Sequence, residues 1–462
     1  MLPAFDPLRS SAVSLDVVAV TRASAAAVRE RQKTRLAALL EAAAAGSALY
    51  RRRLARAAPA ATPLAEIAPT TKRELMERFD EWVTDPKLGL DALRRFTVDP
   101  RRIGQPFLGR YAVWESSGSS GEPAMFVQDA RSLAVYDALE AFRRPSLRPM
   151  LQHWWDPWGL TERRAFVGAT GGHFASTVSV ERLRRLNPWT AATVRGFSFL
   201  QTTADLVAQL NAYAPTVIAT YPTAALLLAE EAADGRLRIA PQEIWTGGEA
   251  LTAAVRRFVA DSFHCAVSNS YGASEFLALA SECRCGALHL NSDWVILESV
   301  DAQGRAVPPG ETGSKTLLTN LANHVQPLIR YELGDRITIA AQPCRCGSPL
   351  PTIEVEGRID DALLLNDDSG HTVRLLPLAL TTVLEDVAGV YDFQLVQESD
   401  HSLLLRVAAN GDAGRRELHS ARDALGAYLR RQGLADVELH AHCGERCSCG
   451  RSGKVQRVVG LH

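Results

Sequence analysis

Between residues 204 and 263 the apolar period switches back and forth, and this alternation limits the fold more than any other feature. "ADLVAQLNAYAPTVIATYPTAALLLAEEAADG" reads helix, strand, helix, with "TVIATY" as the strand. "EIWTGGEALTAAVRRFVADSF" reads strand, glycine turn, helix. Strands that alternate with helices need a crossover between neighbours, so the expected sheet is largely parallel and the fold α/β. Upstream, "RRAFVGATGGHFAS" is a short apolar strand with a Gly-Gly turn, and residues 110–127 read strand, Gly/Ser loop, strand. Residues 22–57 carry charged and apolar residues at helical spacing and read as one or two surface helices. Thr70 or Thr71 is placed to cap the helix that follows.

The pattern changes after residue 290. "WVILESVD", "GSKTLLTN", "RITIAA" and "PTIEVEG" are short strands with turns, which predicts a β-rich subdomain. From about residue 362 strand–helix–strand units recur over a length that suits a small α+β domain. The boundary is placed at "EGRIDD", giving domains 1–356 and 357–462. A chain of 462 residues exceeds what one hydrophobic core usually serves.

A net charge of −1 argues against nucleic acid as the main partner, because such domains carry a basic excess. "VSLDVVAV" is interrupted by Asp16 and no cleavage-site pattern follows, and no stretch nears the ~18 apolar residues of a membrane span. The expectation is a cytoplasmic protein without a membrane partner. In that compartment the eight cysteines suggest metal ligands or free thiols before disulfides. Lysine is rare, at 33, 72, 87, 315 and 454 only, against many arginines.

"WESSGSSGEPAMF", residues 114–126, packs small residues that would let backbone N–H groups approach an anion. It lacks the lysine of a Walker A loop, since Glu122 follows Gly121, and no helix opens at its last glycine as a dinucleotide fingerprint requires. By themselves the loop is an ordinary strand connection, "SYGASE" is a Tyr-Gly turn before a helix capped by Ser274, and Asp335 is a turn residue after Gly334. Cys283, Cys285 and His289 share one short segment and Cys344 and Cys346 a second. The two can fold together around tetrahedral zinc, with Cys283, His289, Cys344 and Cys346 as the expected ligands and Cys285 as the substitute. Four protein ligands would leave no open position, so the expected zinc is structural. His442, Cys443, Cys447 and Cys449 form a weaker candidate, and Cys265 reads as inert.

Taken in order, the Ser116–Gly121 loop, "TGGEALT", "SYGASE", "LIRYELGD", "GRIDD" and "SGKVQR" resemble the adenylate-forming superfamily of acyl- and aryl-CoA ligases. "SECRCGALHLNSDWVILE" and "NLANHVQPLIRYELGDR" are similar to its phenylacetate–CoA ligase branch. The resemblance covers roughly residues 30–460. It implies a large N-terminal domain and a small mobile C-terminal one. It also implies a two-step reaction: a carboxylate attacks the α-phosphate of ATP, releasing pyrophosphate, and a thiol then displaces AMP from the acyl-adenylate. By the same resemblance Ser116, Ser117, Gly118, Ser119, Ser120 and Gly121 close over the phosphates. Gly247, Gly248, Glu249, Tyr271 and Gly272 line the adenine site. Asp335 accepts the ribose hydroxyls, Ser274 reaches the α-phosphate and Glu275 holds Mg²⁺. Arg358 contacts nucleotide, Asp360 is the hinge and Lys454 bridges carboxylate and phosphate. Arg330 is structural or phosphate-facing. His173, Phe174, Tyr221 and Pro222 wall the pocket of an acid that is expected to be aromatic.

Two departures stand out. Glu122 replaces a lysine often found there, and "ALLLNDDSGHTVRLLP" after "GRIDD" has no lysine for the thioester step. Coenzyme A is the expected acceptor. A carrier-protein thiol, adenylyl transfer to a deazaflavin and a nucleotide-binding regulator without catalysis are the alternatives. The oligomeric state is left open, a homodimer included.

Overall fold

The computed structural model describes residues 6–54, 58–116, 123–144, 162–186, 188–356, 361–367, 369–444 and 456–461. Its first strands, β1 (Ala112–Glu115) and β2 (Met125–Gln128), form an antiparallel ribbon around the Ser/Gly loop. The parallel part of the main sheet follows: β3 (Arg164–Gly168), β4 (Val194–Ser198), β5 (Val217–Thr220), β6 (Glu243–Gly247) and β7 (Ala266–Ala273). Their crossovers are set by local chemistry. Thr202 caps the helix Thr203–Tyr213 by accepting from the Asp205 amide at 3.1 Å, and Ala214 at φ +48° ends it just before Pro215. Pro222 then opens the helix Pro222–Ala233 at a position that has no amide to lose. Thr252 caps the helix Ala253–Phe263 in the same way, and His264 closes it in the left-handed region.

"SYGASE" corrects the plainer reading of that segment. No helix starts at Ser274: β7 turns at Ser274–Glu275 into an antiparallel partner, β8 (Phe276–Glu282). The expected β-rich region continues the same sheet through β9 (Leu288–Leu290), and it also forms a separate three-stranded sheet from β10 (Val295–Val300), β11 (Lys315–Asn320) and β12 (Tyr331–Leu333). With β13 (Arg336–Ile339) and β14 (Thr352–Glu356) the main sheet has nine strands among the described residues, in the order β13-β14-β9-β8-β7-β6-β5-β3-β4.

Pairing changes partners after Glu356. β15 (Leu363–Asn366) and β16 (Thr372–Leu375) form a hairpin, and β17 (Phe393–Gln397), β18 (Ser402–Val407), β19 (Glu438–Cys443) and β20 (Val458–Val459) form a four-stranded sheet in the order β19-β18-β17-β20. The helix Gly411–Arg431 packs on this small sheet, and described strands after residue 361 pair only with one another.

The N-terminal helices are less superficial than their composition implies. Leu39, Leu40 and Ala43 of the helix Ala25–Gly46 are fully buried. Its Arg35 lies 3.4 Å from the Trp294 ring centroid and pairs with Asp16 and the buried Asp293, which Arg143 also holds at 2.8 Å. A buried carboxylate persists only when paired in this way.

Candidate active site

The carboxyl ends of β3, β5, β6 and β7 open onto one cleft of about 2210 Å³. Crevices at this edge of a parallel sheet are where α/β proteins bind ligands. Ser116, Phe174, Tyr221, Pro222, Gly247, Gly248, Glu249, Tyr271, Gly272, Ser274, Glu275 and Asp335 all line it. These residues are remote in sequence, and the fold gathers them.

The β7–β8 turn is the best-held part. Gly272 sits at a register shift, where an added Cβ would lie 2.0 Å from the Leu277 carbonyl oxygen. Only glycine allows that approach. The turn's backbone is fixed from outside: the Trp114 indole donates to Ser274 O at 2.8 Å and the Asn320 amide to Glu275 O at 3.0 Å. The Tyr271 hydroxyl donates to Asp335 Oδ2 at 3.0 Å. Burial, and then the charge of Asp335, hold that phenol protonated well above its ordinary range.

Burial also raises the Glu275 carboxyl. A hydrogen bond with Tyr331 and the charge of Lys72 work against that rise, and the nearby Asp335 adds to it. A carboxylate in such surroundings gains from a cation, and its oxygens suit a hard one. Lys72 reaches this place because Thr70 bridges to Tyr331 as a short parallel strand, with its amide donating to Arg330 O at 3.0 Å.

Gly248 takes φ +79°, and a Cβ there would meet the Tyr221 ring at 2.9 Å. Glu249 accepts from the Thr223 amide at 3.0 Å and its hydroxyl at 2.8 Å, so it anchors the turn on the positive end of the helix Pro222–Ala233. Ser116 closes the β1–β2 ribbon, its hydroxyl accepting from the Ala124 amide at 2.9 Å. Phe174 and Tyr221 give the cleft aromatic walls, and Phe199 packs edge-on against Tyr221 at 5.9 Å.

His173 requires a correction. It is buried against Phe96, ring centroids 5.7 Å apart, and is not among the cleft-lining residues. It precedes Phe174 in extended chain, where successive side chains take opposite sides, and burial depresses its pKa. Arg330 resolves as structural: at φ +49° it is buried, bonded to Glu298 at 3.1 Å and to the Ile67 carbonyl at 2.9 Å. Ser117, Gly118, Ser119, Ser120, Gly121, Glu122, Arg358, Asp360, Cys447, Cys449 and Lys454 lie outside the described residues.

Cleft residues that sequence reading missed are Lys72, Tyr331, Glu385 and Arg457. Lys72 alone carried a signal, as a rare lysine beside a capping threonine.

A second cluster lies at the other end of the β7–β8 hairpin. One ligand atom each from Cys283, His289, Cys344 and Cys346 falls within 4.8 Å of the rest. Tetrahedral zinc with Zn–S near 2.3 Å would set its sulfurs about 3.8 Å apart. Cys283 and Cys344 Sγ are 3.8 Å apart, and Cys346 Sγ is 3.3 Å from His289 Nε2. His289 Nδ1 lies 2.8 Å from Leu350 O, which orients the ring with Nε2 toward the sulfurs. The donor set fits zinc.

Residues 116–315 match the family model described as AMP-binding enzyme. No curated protein matches the chain. Solved structures of 2-hydroxyisobutyryl-CoA ligase share the fold. The complex with 2-HIB-AMP and CoA in the thioesterification state aligns at 20% identity and TM-score 0.56, over 95% of this chain and 91% of that one. The postadenylation state with 2-HIB-AMP gives 20% identity and 0.52, over 93% and 89%. An open conformation with 2-HIB-AMP and CoA gives 19% and 0.51, over 93% and 90%. Residues 116–315 are thus similar to AMP-binding enzymes, within a fold that the chain shares with these ligase structures.

Proposed function

We propose that the chain activates a carboxylic acid with ATP, releasing pyrophosphate to give an acyl-adenylate, and then passes the acyl group to the thiol of coenzyme A. The observation that carries this reading is the cluster at the cleft edge, where Tyr271 bonds Asp335 while Glu275 sits against Tyr331 and Lys72. On this reading Asp335 is the ribose acceptor, Glu275 the metal carboxylate and Lys72 a neighbouring cation. An anionic carboxylate attacking an anionic phosphate needs positive charge and fixed placement; Lys72 would supply charge, and Glu275 would recruit more by holding a cation. The likeness to a ligase described with an acyl-AMP and CoA supports the same two steps.

Asp335 accepts the ribose hydroxyls, Glu275 holds Mg²⁺, Ser274 reaches the α-phosphate and the Ser116–Gly121 loop covers the outer phosphates. Lys454 bridges the reacting carboxylate and phosphate. Residues 357–462 form the small domain that turns about Asp360. Phe174, Tyr221 and Phe199 favour an aromatic acid, as in the phenylacetate–CoA ligase branch. Cys283, His289, Cys344 and Cys346 hold a structural zinc. Elemental analysis of protein purified without chelator should find about one zinc per chain, and its absence would remove the metal from this account.

The deciding experiment is ATP–pyrophosphate exchange with benzoate, 2-aminobenzoate, phenylacetate and 2-hydroxyisobutyrate, followed by AMP release with and without CoA. An aromatic acid should drive exchange, and CoA should accelerate AMP release. Exchange without CoA-dependent turnover would shift the acceptor to a carrier-protein thiol. AMP left on a deazaflavin would replace the thiol reading, and no exchange with any acid would overturn acid activation.

A further inference from the structure

Inside the cleft, one face of the main sheet is bare near its carboxyl edge and cationic further in. Side chains of β6 and β7 alternate between faces, so Trp245 and Gly247 share a face with Ser268 and Ser270, their register partners. Gly247 puts no side chain at the edge, where a Cβ would come within 2.9 Å of Ser270 Oγ. Trp245 forms the floor behind it, and its ring is fixed because Nε1 donates to Glu243 Oε2 at 2.7 Å. A further wall is one side of the helix Ala175–Leu186, where Ser176, Ser179, Val180 and Leu183 line the same cleft.

Arg144 reaches this recess from the chain just past the helix Ala130–Phe142. Its neighbour Arg143 turns instead to the buried Asp293 at 2.8 Å. The Arg144 guanidinium lies 4.8 Å from the Trp245 ring centroid, and its side chain is only 11% exposed. Arg164, which pairs with Glu162, lies 5.8 Å from the same centroid. Arg144 donates to Glu140 at 3.0 Å, to Ser268 Oγ at 3.3 Å and to Ser270 Oγ at 3.4 Å. The two serine bonds are long, and Arg144 Nε is buried with no hydrogen-bond partner among the described residues. A guanidinium carries its N–H donors in a fixed planar fork, so this one has donors to spare. A buried cation in that condition is costly until an acceptor completes it. Glu140 does so only in part, since it is 46% exposed and such solvated pairs contribute little.

We propose that Arg144 is a specificity-determining residue, and that the acid it selects carries a second carboxylate on the part of the molecule that lies over Trp245. One carboxylate would meet the nucleotide at the sheet edge, and the other would take the free donors of Arg144. A carboxylate matches the guanidinium fork with two parallel bonds, which a point charge does not. The indole floor suits a flat ring between the two groups. This inference rests on the acid-activating reading above and names its substrate class, an aromatic dicarboxylate.

The test is ATP–pyrophosphate exchange by the full chain with benzoate, 4-hydroxybenzoate, benzene-1,3-dicarboxylate and benzene-1,4-dicarboxylate, compared as ratios of kcat/KM. The wild type should prefer one dicarboxylate to benzoate by about tenfold or more, as expected of a site whose buried donors are otherwise left unpaired. Arg144→Met keeps length and removes charge; it should lower that ratio by about tenfold, and Arg144→Lys should recover only part of it. The preferred dicarboxylate should also raise the melting temperature of the wild type and not that of Arg144→Met, a readout independent of turnover. Equal falls for benzoate and the dicarboxylate in Arg144→Met would make the residue structural and overturn the inference. A wild type that prefers neither dicarboxylate to benzoate would overturn it without any variant, and a preference for 4-hydroxybenzoate over both would overturn the second carboxylate. Absence of exchange with every acid is a different failure: it would remove the acid-activating reading, and this inference with it.

Discussion

Tyr271 shows how much one hydroxyl can decide. Its bond to Asp335 holds the carboxylate that is proposed to receive the ribose, and hydrogen bonds to charged groups contribute roughly 1.5–3 kcal/mol. Tyr271→Phe should therefore raise the KM for ATP by about tenfold or more, since ~1.4 kcal/mol is tenfold, and leave kcat within a few-fold. A kcat loss with unchanged KM would place Tyr271 at the reacting atoms instead. Residues of this kind were legible one motif at a time, because Gly272, Ser274 and Glu275 sit in a short string with a recognisable spacing. Lys72 and Tyr331 were not. Their meeting depends on the bridge from Thr70 to Tyr331, made between residues about 260 positions apart, and no local pattern announces it. His173 failed for the opposite reason. Adjacency to Phe174 suggested a shared pocket, yet neighbouring residues in extended chain face opposite sides.

At the scale of elements, the β7–β8 hairpin taken by itself reads as a turn and helix because Ser274 resembles an N-cap. What decides for a strand is the partner: β8 is buried between β7 and β9 and takes both as antiparallel neighbours. The parallel crossovers were legible because capping threonines and Pro222 mark their helix starts. Tertiary context acts again on the loop between β11 and β12. There the His324 carbonyl accepts from the Thr84 hydroxyl at 3.0 Å, and the imidazole is pushed down to about 4 by burial and then by Arg131. An unfolded histidine titrates near 6.5. The native state thus binds fewer protons between those values, and stability falls as the pH drops from about 6.5 toward 4. At pH 5 the gap of about 1.5 units corresponds to at most about 2 kcal/mol. Urea unfolding at pH 7.5 and pH 5 should show this loss, and His324→Asn should flatten it. An unchanged difference in the variant would assign the acid limb to other groups.

At the scale of the whole chain, sheets and cores divide the molecule differently. Strand pairing changes partners after Glu356, but apolar packing does not stop there. One continuous cluster runs from Ala165, Ile218, Leu228 and Ile244 in and around the main sheet to Leu363, Leu380, Phe393 and Leu405 beyond residue 361. Polar contacts cross the same junction: Arg374 pairs with Glu230 at 2.6 Å, and the Gln432 side chain donates to Gln201 O at 3.1 Å. Sequence cannot reveal this continuity, since apolar positions after residue 361 look the same whether they face their own sheet or a neighbour. The consequence is thermodynamic. Unfolding enthalpy runs near ~0.7 kcal/mol per residue, so an independent small domain of roughly 100 residues would melt with its own peak of about 70 kcal/mol. The shared cluster predicts one cooperative transition for both parts in calorimetry. Glu230→Arg sets like charges against Arg374 and should bring a separate low-temperature shoulder into view, and adding Arg374→Glu should suppress it again. Two resolved peaks in the wild type would mean that the small domain folds and melts on its own, and that the contacts across the junction hold its position without contributing to its stability.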